Sequence, residues 1–316
     1  MSVLATNGRN RLWFGTVDRM QYVPTPNRGA DVSATGFEAG GPLLSGGAYQ
    51  INSFDSAKNF IFEWPPSSSR EAAQRMKSYA DGSFGRGLIY FVDPLTWNTN
   101  ILPPRWADPS MAVGDESATL IPGVVPTGTP STAPVEANLP VKSAVYDLTQ
   151  TGPTDPTRLD DSNSVFIPIP EGAYLLLGAF YNVVGSGGIY YSPVQVGGAV
   201  GTPSVIPPSN PIPTGPLGIV TAAATLQPGQ VGVRIWMGRT NNTAGVITAN
   251  GIVARLSPIE NFSAPNDSTH KPWMGGQGNS GCRFIGKPTY MNNTGVNGGQ
   301  VSYAATFREV GSWVVS

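Results

Sequence analysis

Residues 300–309, QVSYAATFRE, alternate between an apolar set of side chains at the odd positions from 301 to 307 and a mostly polar set at the even positions. In an extended chain, Val301, Tyr303, Ala305 and Phe307 point to one side of the strand. The pattern therefore predicts a half-buried strand with one apolar face. No segment nearby in the sequence offers it a partner, and an unpaired sheet edge promotes aggregation. We expect this closing strand to pair with the strands that open the chain, whose hydrophobic content complements it.

This pairing predicts that the chain is divided into two folded parts. Residues 1–112 and 265–316 would form one discontinuous core domain, while residues 141–262 form a separate inserted domain. Residues 113–140 are low in charge and rich in proline, which is typical of an extended linker. The fold class we predict is mainly β: a β-sandwich with one helix, interrupted by an inserted antiparallel β-sandwich that resembles a jelly roll.

One helix is predicted, in residues 67–82, SSSREAAQRMKSYADG. Ser68 or Ser69 can cap its N-terminus, and Ala72, Met76 and Tyr79 share one face at helical spacing. The inserted region shows no comparable pattern. Its apolar segments are short and separated by turns, as in 173–180, 231–236, 246–248 and 251–256, and each segment predicts a strand.

Composition limits the kinds of function that the chain can have. It has 316 residues, 39 glycines, 30 prolines, one cysteine and a formal net charge of −1. Nothing in that balance indicates a surface that recognises nucleic acid, and no apolar run is long enough to span a membrane. The first residues lack the pattern of a signal peptide, so we expect a protein made in the cytoplasm. The scarcity of charge favours a subunit whose surface is covered by neighbours.

A glycine pattern near the C-terminus matches the spacing of a dinucleotide-binding loop. In GGQGNSGCRF, residues 275–284, the glycines Gly276, Gly278 and Gly281 have this spacing. The setting is wrong for a nucleotide, because Pro272 precedes the pattern where a buried strand is needed and no helix can follow it. We therefore predict no cofactor and interpret these glycines as a structural hinge that leads the chain into its closing strands.

Groups with catalytic or metal-binding chemistry are sparse. The single histidine, His270, lies in a loop rich in proline, asparagine and serine, and the single cysteine, Cys282, has no neighbouring base. Asp160 and Asp161 are more typical of hydrated turns than of a calcium loop. The sequence predicts no enzyme, no catalytic residue and no metal site.

Two segments carry a resemblance to a known family. Residues 86–112, RGLIYFVDPLTWNTNILPPRWADPSMA, and residues 275–313, which run from GGQGNSGCRF to VSYAATFREVGSW, resemble minor tail proteins of siphophages that infect actinobacteria. The closing strand also resembles the end of distal tail proteins. The resemblance covers the ends of the chain and not its middle, and it implies that the β-sandwich is of the tail-protein type.

The resemblance implies a structural virion protein located at the tail tip and made in the host cytoplasm. Such a protein connects the tail tube to the host-recognition apparatus and contacts other tail-tube and tail-tip proteins. It also implies a homo-oligomeric ring, a hexamer or a trimer. We expect the segment 18–45, interpreted as a long loop, to supply subunit contacts.

Two further functions remain open. In the first, the inserted sandwich binds a glycan of the host cell envelope on an aromatic platform made by Tyr181 or Tyr190 with Trp236. The same rings could instead be core or subunit-contact residues, which is the commoner role of aromatic side chains. In the second, the tail protein cleaves glycans, which requires two carboxylates facing each other across a groove. Asp147, Asp160 and Asp161 are available, but nothing in the sequence marks them for this role.

Overall fold

The computed structural model of the chain has a mainly β fold with several antiparallel sheets. The structure describes residues 11–27, 31–34, 38–42, 48–52, 58–92, 99–114, 124–131, 140–148, 165–206, 221–225, 228–239, 244–257, 278, 281–292 and 300–310. The predicted fold class is confirmed at this level. Its finer features, the tail-protein type and the jelly-roll-like topology, stay predictions.

The elements follow one another along the chain with few helices between the strands. In chain order they are β1 (Arg11–Thr16), β2 (Arg19–Pro24), β3 (Asp31–Ala34), β4 (Glu38–Pro42), β5 (Ala48–Asn52), β6 (Lys58–Ser69), α1 (Arg70–Ala80), β7 (Tyr90–Val92), α2 (Pro104–Ala107), a 3-10 turn (Pro109–Ala112), β8 (Thr127–Pro130), β9 (Lys142–Asp147), β10 (Val165–Pro168), β11 (Tyr174–Gly185), β12 (Gly188–Gln195), β13 (Ser204–Ile206), β14 (Thr221–Thr225), β15 (Gln230–Gly238), β16 (Gly245–Ser257), β17 (Cys282–Phe284), β18 (Thr289–Asn292) and β19 (Gln300–Glu309).

The closing strand β19 pairs with β6, as predicted from its alternation. The two strands run antiparallel, with Phe307 opposite Phe60 and Tyr303 beside Trp64. β17 and β18, which directly precede β19 in the sequence, pair with its other side, so the expectation that no nearby segment offers a partner is wrong. β3 pairs with the far side of β6. The apolar face of this sheet shares one core with the sheet β2-β1-β7. Segments from both ends of the chain therefore build one hydrophobic core.

Helix α1 forms where the sequence predicted it and closes this core. The Ser69 side chain caps the helix by accepting a hydrogen bond of 3.1 Å from the Ala72 backbone N–H. Ala72, Met76 and Tyr79 are buried on the face turned to the sheets. The chain leaves the helix through Gly82, whose φ of 75° lies in the left-handed range that suits glycine.

The inserted region contains two sheets that share a second core. One sheet has the order β14-β11-β16-β9-β8 and the other the order β10-β15-β12-β13. Leu177 and Ile252 from the first sheet and Ile189 and Ile235 from the second are fully buried in that core. This arrangement fits the predicted antiparallel sandwich.

Several element boundaries differ from those expected from the sequence. The segment 18–45, interpreted as one long loop, contains β2, β3 and β4. The two short strands predicted at 246–248 and 251–256 are one strand, β16, with a bulge where Phe180 pairs with Gly251 and Tyr181 with Ala249. A second helix, the four-residue α2, was not predicted. β8 lies within the predicted linker and pairs with β9 at the edge of a sheet.

The two cores touch each other. Trp13 and Val92, from the first part of the chain, pack within the core of the inserted sheets. Tyr90 meets Phe166 edge to face, with ring centroids 4.6 Å apart. These contacts show that the inserted region packs closely on the rest of the chain. The division at residues 112, 141, 262 and 265 stays a prediction.

Candidate functional site

The two segments that carry the family resemblance meet in space. Ile89, in the first segment, exchanges two backbone hydrogen bonds of 2.8 Å with Cys282, in the second. Beside this bridge, the side chain of Leu88 occupies the space into which a Cβ on Gly281 would project. We call this contact region, residues 88–92 and 99–102 with residues 278 and 281–284, the segment junction.

Within the segment junction, the backbone of Gly278 makes the closest approach to a neighbouring segment. Its N–H donates a hydrogen bond of 3.0 Å to the Leu102 carbonyl, and its own carbonyl accepts one of 3.1 Å from the Lys58 ammonium. A Cβ placed on Gly278 would lie 1.7 Å from the Ile101 carbonyl oxygen. The backbone of Gly278 thus passes too close to its neighbour for any side chain.

Two of the three glycines that were predicted to form a hinge lie within the described residues. Gly278 and Gly281 both lie at the segment junction, and the φ of each falls outside the left-handed range, so close approach is what requires glycine there. Gly276 lies outside the described residues. Gly281 leads into strand β17 and not into the helix that a dinucleotide-binding loop requires. A role as a hinge stays a prediction.

The side chain of Asn100 connects the first segment to the inserted sheets by hydrogen bonds. Its side-chain amide donates a hydrogen bond of 2.8 Å to the Ile252 carbonyl. Its side-chain oxygen accepts bonds of 3.2 Å from the Leu102 N–H and 3.0 Å from the Ala254 N–H. Asn100 is fully buried, so these bonds replace those it would make with water. Sequence reasoning missed this residue, because an asparagine in a proline-containing stretch normally indicates a turn at the surface.

The side chain of Cys282, which belongs to the segment junction, packs in the core. Its side chain is fully buried, and burial raises the pKa of the thiol far above its usual value, with the Glu309 carboxylate adding to the effect. The thiol therefore stays protonated at neutral pH, which suits a packing role. Of the other residues considered for chemistry, Asp147 is exposed at the end of β9. His270, Asp160 and Asp161 lie outside the described residues.

The three rings predicted to form an exposed glycan platform are buried. Tyr181 is 0 % exposed, Tyr190 6 % and Trp236 5 %. The Tyr181 hydroxyl donates a hydrogen bond to the Ile206 carbonyl inside the core. Tyr190 and Trp236 stack on each other with centroids 5.5 Å apart. The expectation that these rings are exposed is wrong.

The rings are buried because both faces of the strands that carry them are covered. Tyr190 and Trp236 are cross-strand partners on the face of the four-stranded sheet that points away from the core of the insert. Each ring lies over a glycine of its own strand, Gly188 or Gly238. Farther along the same face, Phe166 packs against residues of the first part of the chain. The prediction assumed that one face of each strand is exposed to water. Tertiary packing buries that face as well.

The described residues offer no metal centre and no membrane-spanning helix. Among them, no group of three or more histidine, cysteine, aspartate or glutamate side chains is placed to hold a metal ion. No helix in the described ranges is long and apolar enough to cross a membrane.

Comparison of the chain with protein-family models, with curated proteins and with solved structures found no match.

Proposed function

We propose that the chain is a structural subunit of a phage tail tip, of the minor or distal tail protein type, that joins the tail tube to the host-recognition apparatus. The observation that supports this most is the segment junction. The resemblance rests on two segments far apart in the sequence, and these segments bind each other through the Ile89–Cys282 bridge and the Gly278–Leu102 hydrogen bond. They therefore act as parts of one structural unit.

The mainly β architecture also suits a subunit of a rigid assembly. β19 is paired on both of its sides, and hydrogen-bonded backbone groups in a fully paired strand open slowly. A tail component must transmit force without unfolding, so extensive strand pairing is an appropriate construction. We propose that identical copies form a closed ring of three or six within the tail, in contact with other tail-tube and tail-tip proteins.

A glycan-binding function does not form part of this proposal. The rings expected to stack on a sugar, Tyr181, Tyr190 and Trp236, have no open face in this chain, and stacking requires one. The inserted sheets are better explained as a packed part of the structural subunit.

Immunogold labelling of intact virions tests the proposal. Antibodies raised against the folded chain should place gold particles at one end of the tail, distal to the capsid. A matched antibody against the major capsid protein serves as the control for accessibility. Labelling confined to the capsid, or none on particles whose protein content includes the chain, would contradict a tail-tip location.

A further inference from the structure

Asn250 lies at the bulge of strand β16, outside the regular strand pairing. Ala249 pairs with Tyr181 of β11, and Gly251 pairs with Phe180. Asn250 is therefore the extra residue between two paired positions, and the ladder leaves such a residue unpaired. Only 2 % of Asn250 is exposed, so its side-chain amide needs hydrogen-bond partners inside the protein.

The Asn250 amide finds these partners on the hairpin formed by β8 and β9. Its N–H groups donate hydrogen bonds of 2.6 Å to the Ser131 hydroxyl and 3.2 Å to the Pro140 carbonyl. Its side-chain oxygen accepts a hydrogen bond from the Ser143 hydroxyl. Ser131 directly follows β8, Pro140 precedes β9, and Ser143 belongs to β9. We call these four residues the Asn250 network, which ties the hairpin to β16.

The glycine that follows Asn250 makes this position chemically labile. In an asparagine–glycine pair, the backbone nitrogen of the glycine can attack the asparagine Cγ, because glycine has no side chain to block the approach. A bond forms between that nitrogen and Cγ, the bond from Cγ to the amide nitrogen breaks, and ammonia leaves with the proton of the backbone N–H. Water then opens the resulting imide ring at either carbonyl, which yields aspartate or isoaspartate. The reaction needs no other reactant.

The Asn250 network opposes this reaction in the folded chain. Attack requires a side chain that is free to present its Cγ to the backbone nitrogen of Gly251, and three hydrogen bonds hold the amide on the hairpin instead. This constraint is lost when the hairpin separates from β16. β8 is the outermost strand of its sheet and is largely exposed, so the hairpin should open at a lower free-energy cost than the core.

We propose that Asn250 is a deamidation site controlled by opening of the β8–β9 hairpin, and that the reaction releases the hairpin irreversibly. An aspartate at this position has no N–H to donate to Ser131 or Pro140, and its charge would face the Pro140 carbonyl oxygen. An isoaspartate adds a carbon to the main chain and displaces the residues that follow. Either product therefore prevents the network from forming again. This inference concerns the covalent stability of the chain and does not depend on its proposed place in a phage tail.

Peptide mapping by mass spectrometry measures the rate of deamidation at Asn250 in the full chain at pH 8. We expect the folded chain to react at least about tenfold more slowly than the chain unfolded in urea. Ser143→Ala removes one hydrogen bond of the network and should raise the folded-state rate about threefold or more. Thr127→Ala, at an exposed position of β8 outside the network, is the matched control and should leave the rate unchanged.

A variant in the other core separates opening of the hairpin from unfolding of the whole chain. Val23→Ala removes buried apolar atoms far from the network and should accelerate deamidation at Asn250 less than Ser143→Ala does. Equal acceleration by the two variants would overturn control by the hairpin. Equal rates in the folded and unfolded chains, or no acceleration by Ser143→Ala, would overturn it as well.

The release of the hairpin is tested by making one product directly. Trypsin should cleave the Asn250→Asp variant after Lys142, at the start of β9, at least about fivefold faster than it cleaves the natural chain there. Cleavage after Arg86, which is exposed in another part of the chain, should not change. Asn27→Asp makes the same substitution at an exposed position and should alter neither rate. An Asn250→Asp variant that resists cleavage after Lys142 as well as the natural chain does would overturn the release.

Discussion

Tyr303 in the closing strand stacks on Trp64 in β6, with ring centroids 4.4 Å apart and planes inclined by only 11°. The Trp64 indole N–H also donates a hydrogen bond of 2.8 Å to the Pro24 carbonyl, so the same side chain reaches a third strand, β2. Residues from the beginning and the end of the chain are thereby held in one core. The stability of the whole fold should depend on this contact.

Removing the Trp64 ring should destabilise the chain strongly. Trp64→Ala deletes a buried aromatic side chain and is expected to lower the free energy of unfolding by about 3–5 kcal/mol. Tyr303→Phe is the matched control. It keeps the stacked ring and removes a buried hydroxyl that has no hydrogen-bond partner among the described residues, so stability should change by less than about 1 kcal/mol. Urea unfolding measures the stability of both variants. Equal losses of stability would contradict the importance of the Trp64 ring for the core.

Substitution at the segment junction should disrupt the fold. Gly278→Ala forces a methyl group to within 1.7 Å of the Ile101 carbonyl oxygen, so the backbone must move. The expected cost is about 3 kcal/mol or more, at or above the usual limit for overpacking. Gly87→Ala is the control, because nothing lies within 4 Å of its added carbon and its φ is not left-handed. Thermal unfolding should separate the two variants, and similar midpoints would contradict the close approach.

The buried amide of Asn100 should not tolerate a carboxylate. Asn100→Asp preserves the oxygen that accepts from Leu102 and Ala254 but replaces the donor to the Ile252 carbonyl with a second acceptor. The change is expected to cost about 2–4 kcal/mol at neutral pH, because a buried charge then faces a carbonyl oxygen. Protonation restores a donor, so the loss should diminish as the pH falls. A loss that does not depend on pH would argue against this geometry.

Tyr79 should make the fold sensitive to alkali. Burial raises the pKa of Tyr79 to about 12 from its usual value of 10.0. The folded state therefore holds its proton more tightly than the unfolded state. The resulting stability is present below pH 10 and is lost as the pH rises towards 12.

A phenylalanine variant isolates this effect. Tyr79→Phe should be less stable than the natural chain at pH 8, because the Tyr79 hydroxyl donates to the Arg19 carbonyl and accepts from Gln21, both at 2.9 Å. The difference in unfolding free energy should narrow as the pH rises through 10 and above. Urea titrations at three pH values measure it, and a difference that stays constant would contradict the raised pKa.

The elements that the sequence predicted well are those with a local physical signal. The alternation from Val301 to Phe307 predicted both the strand and its need for a partner, and the capping serine before residue 70 predicted α1. In each case the pattern lies within a few neighbouring residues, so no knowledge of the rest of the chain was needed.

The candidate site was less predictable because its features depend on contacts between distant segments. The alternation of the strand residues predicted that Tyr190 and Trp236 are exposed. In the structure the face that they share is covered, and each ring packs over a glycine of its own strand. The burial of Asn100 depends on β16, which lies far along the chain. The glycine spacing predicted a structural role for Gly278. The structure shows that glycine is required at this position because of a close backbone approach and not because of a left-handed φ.

Cryo-electron microscopy of the tail end of intact virions tests the central proposal most directly. We expect a ring of three or six copies at the tail tip, whose density fits the sheet formed by β3, β6, β19 and β17 together with the segment junction. A tail tip reconstructed at a resolution that shows side chains, and in which no density fits this chain, would contradict the proposal.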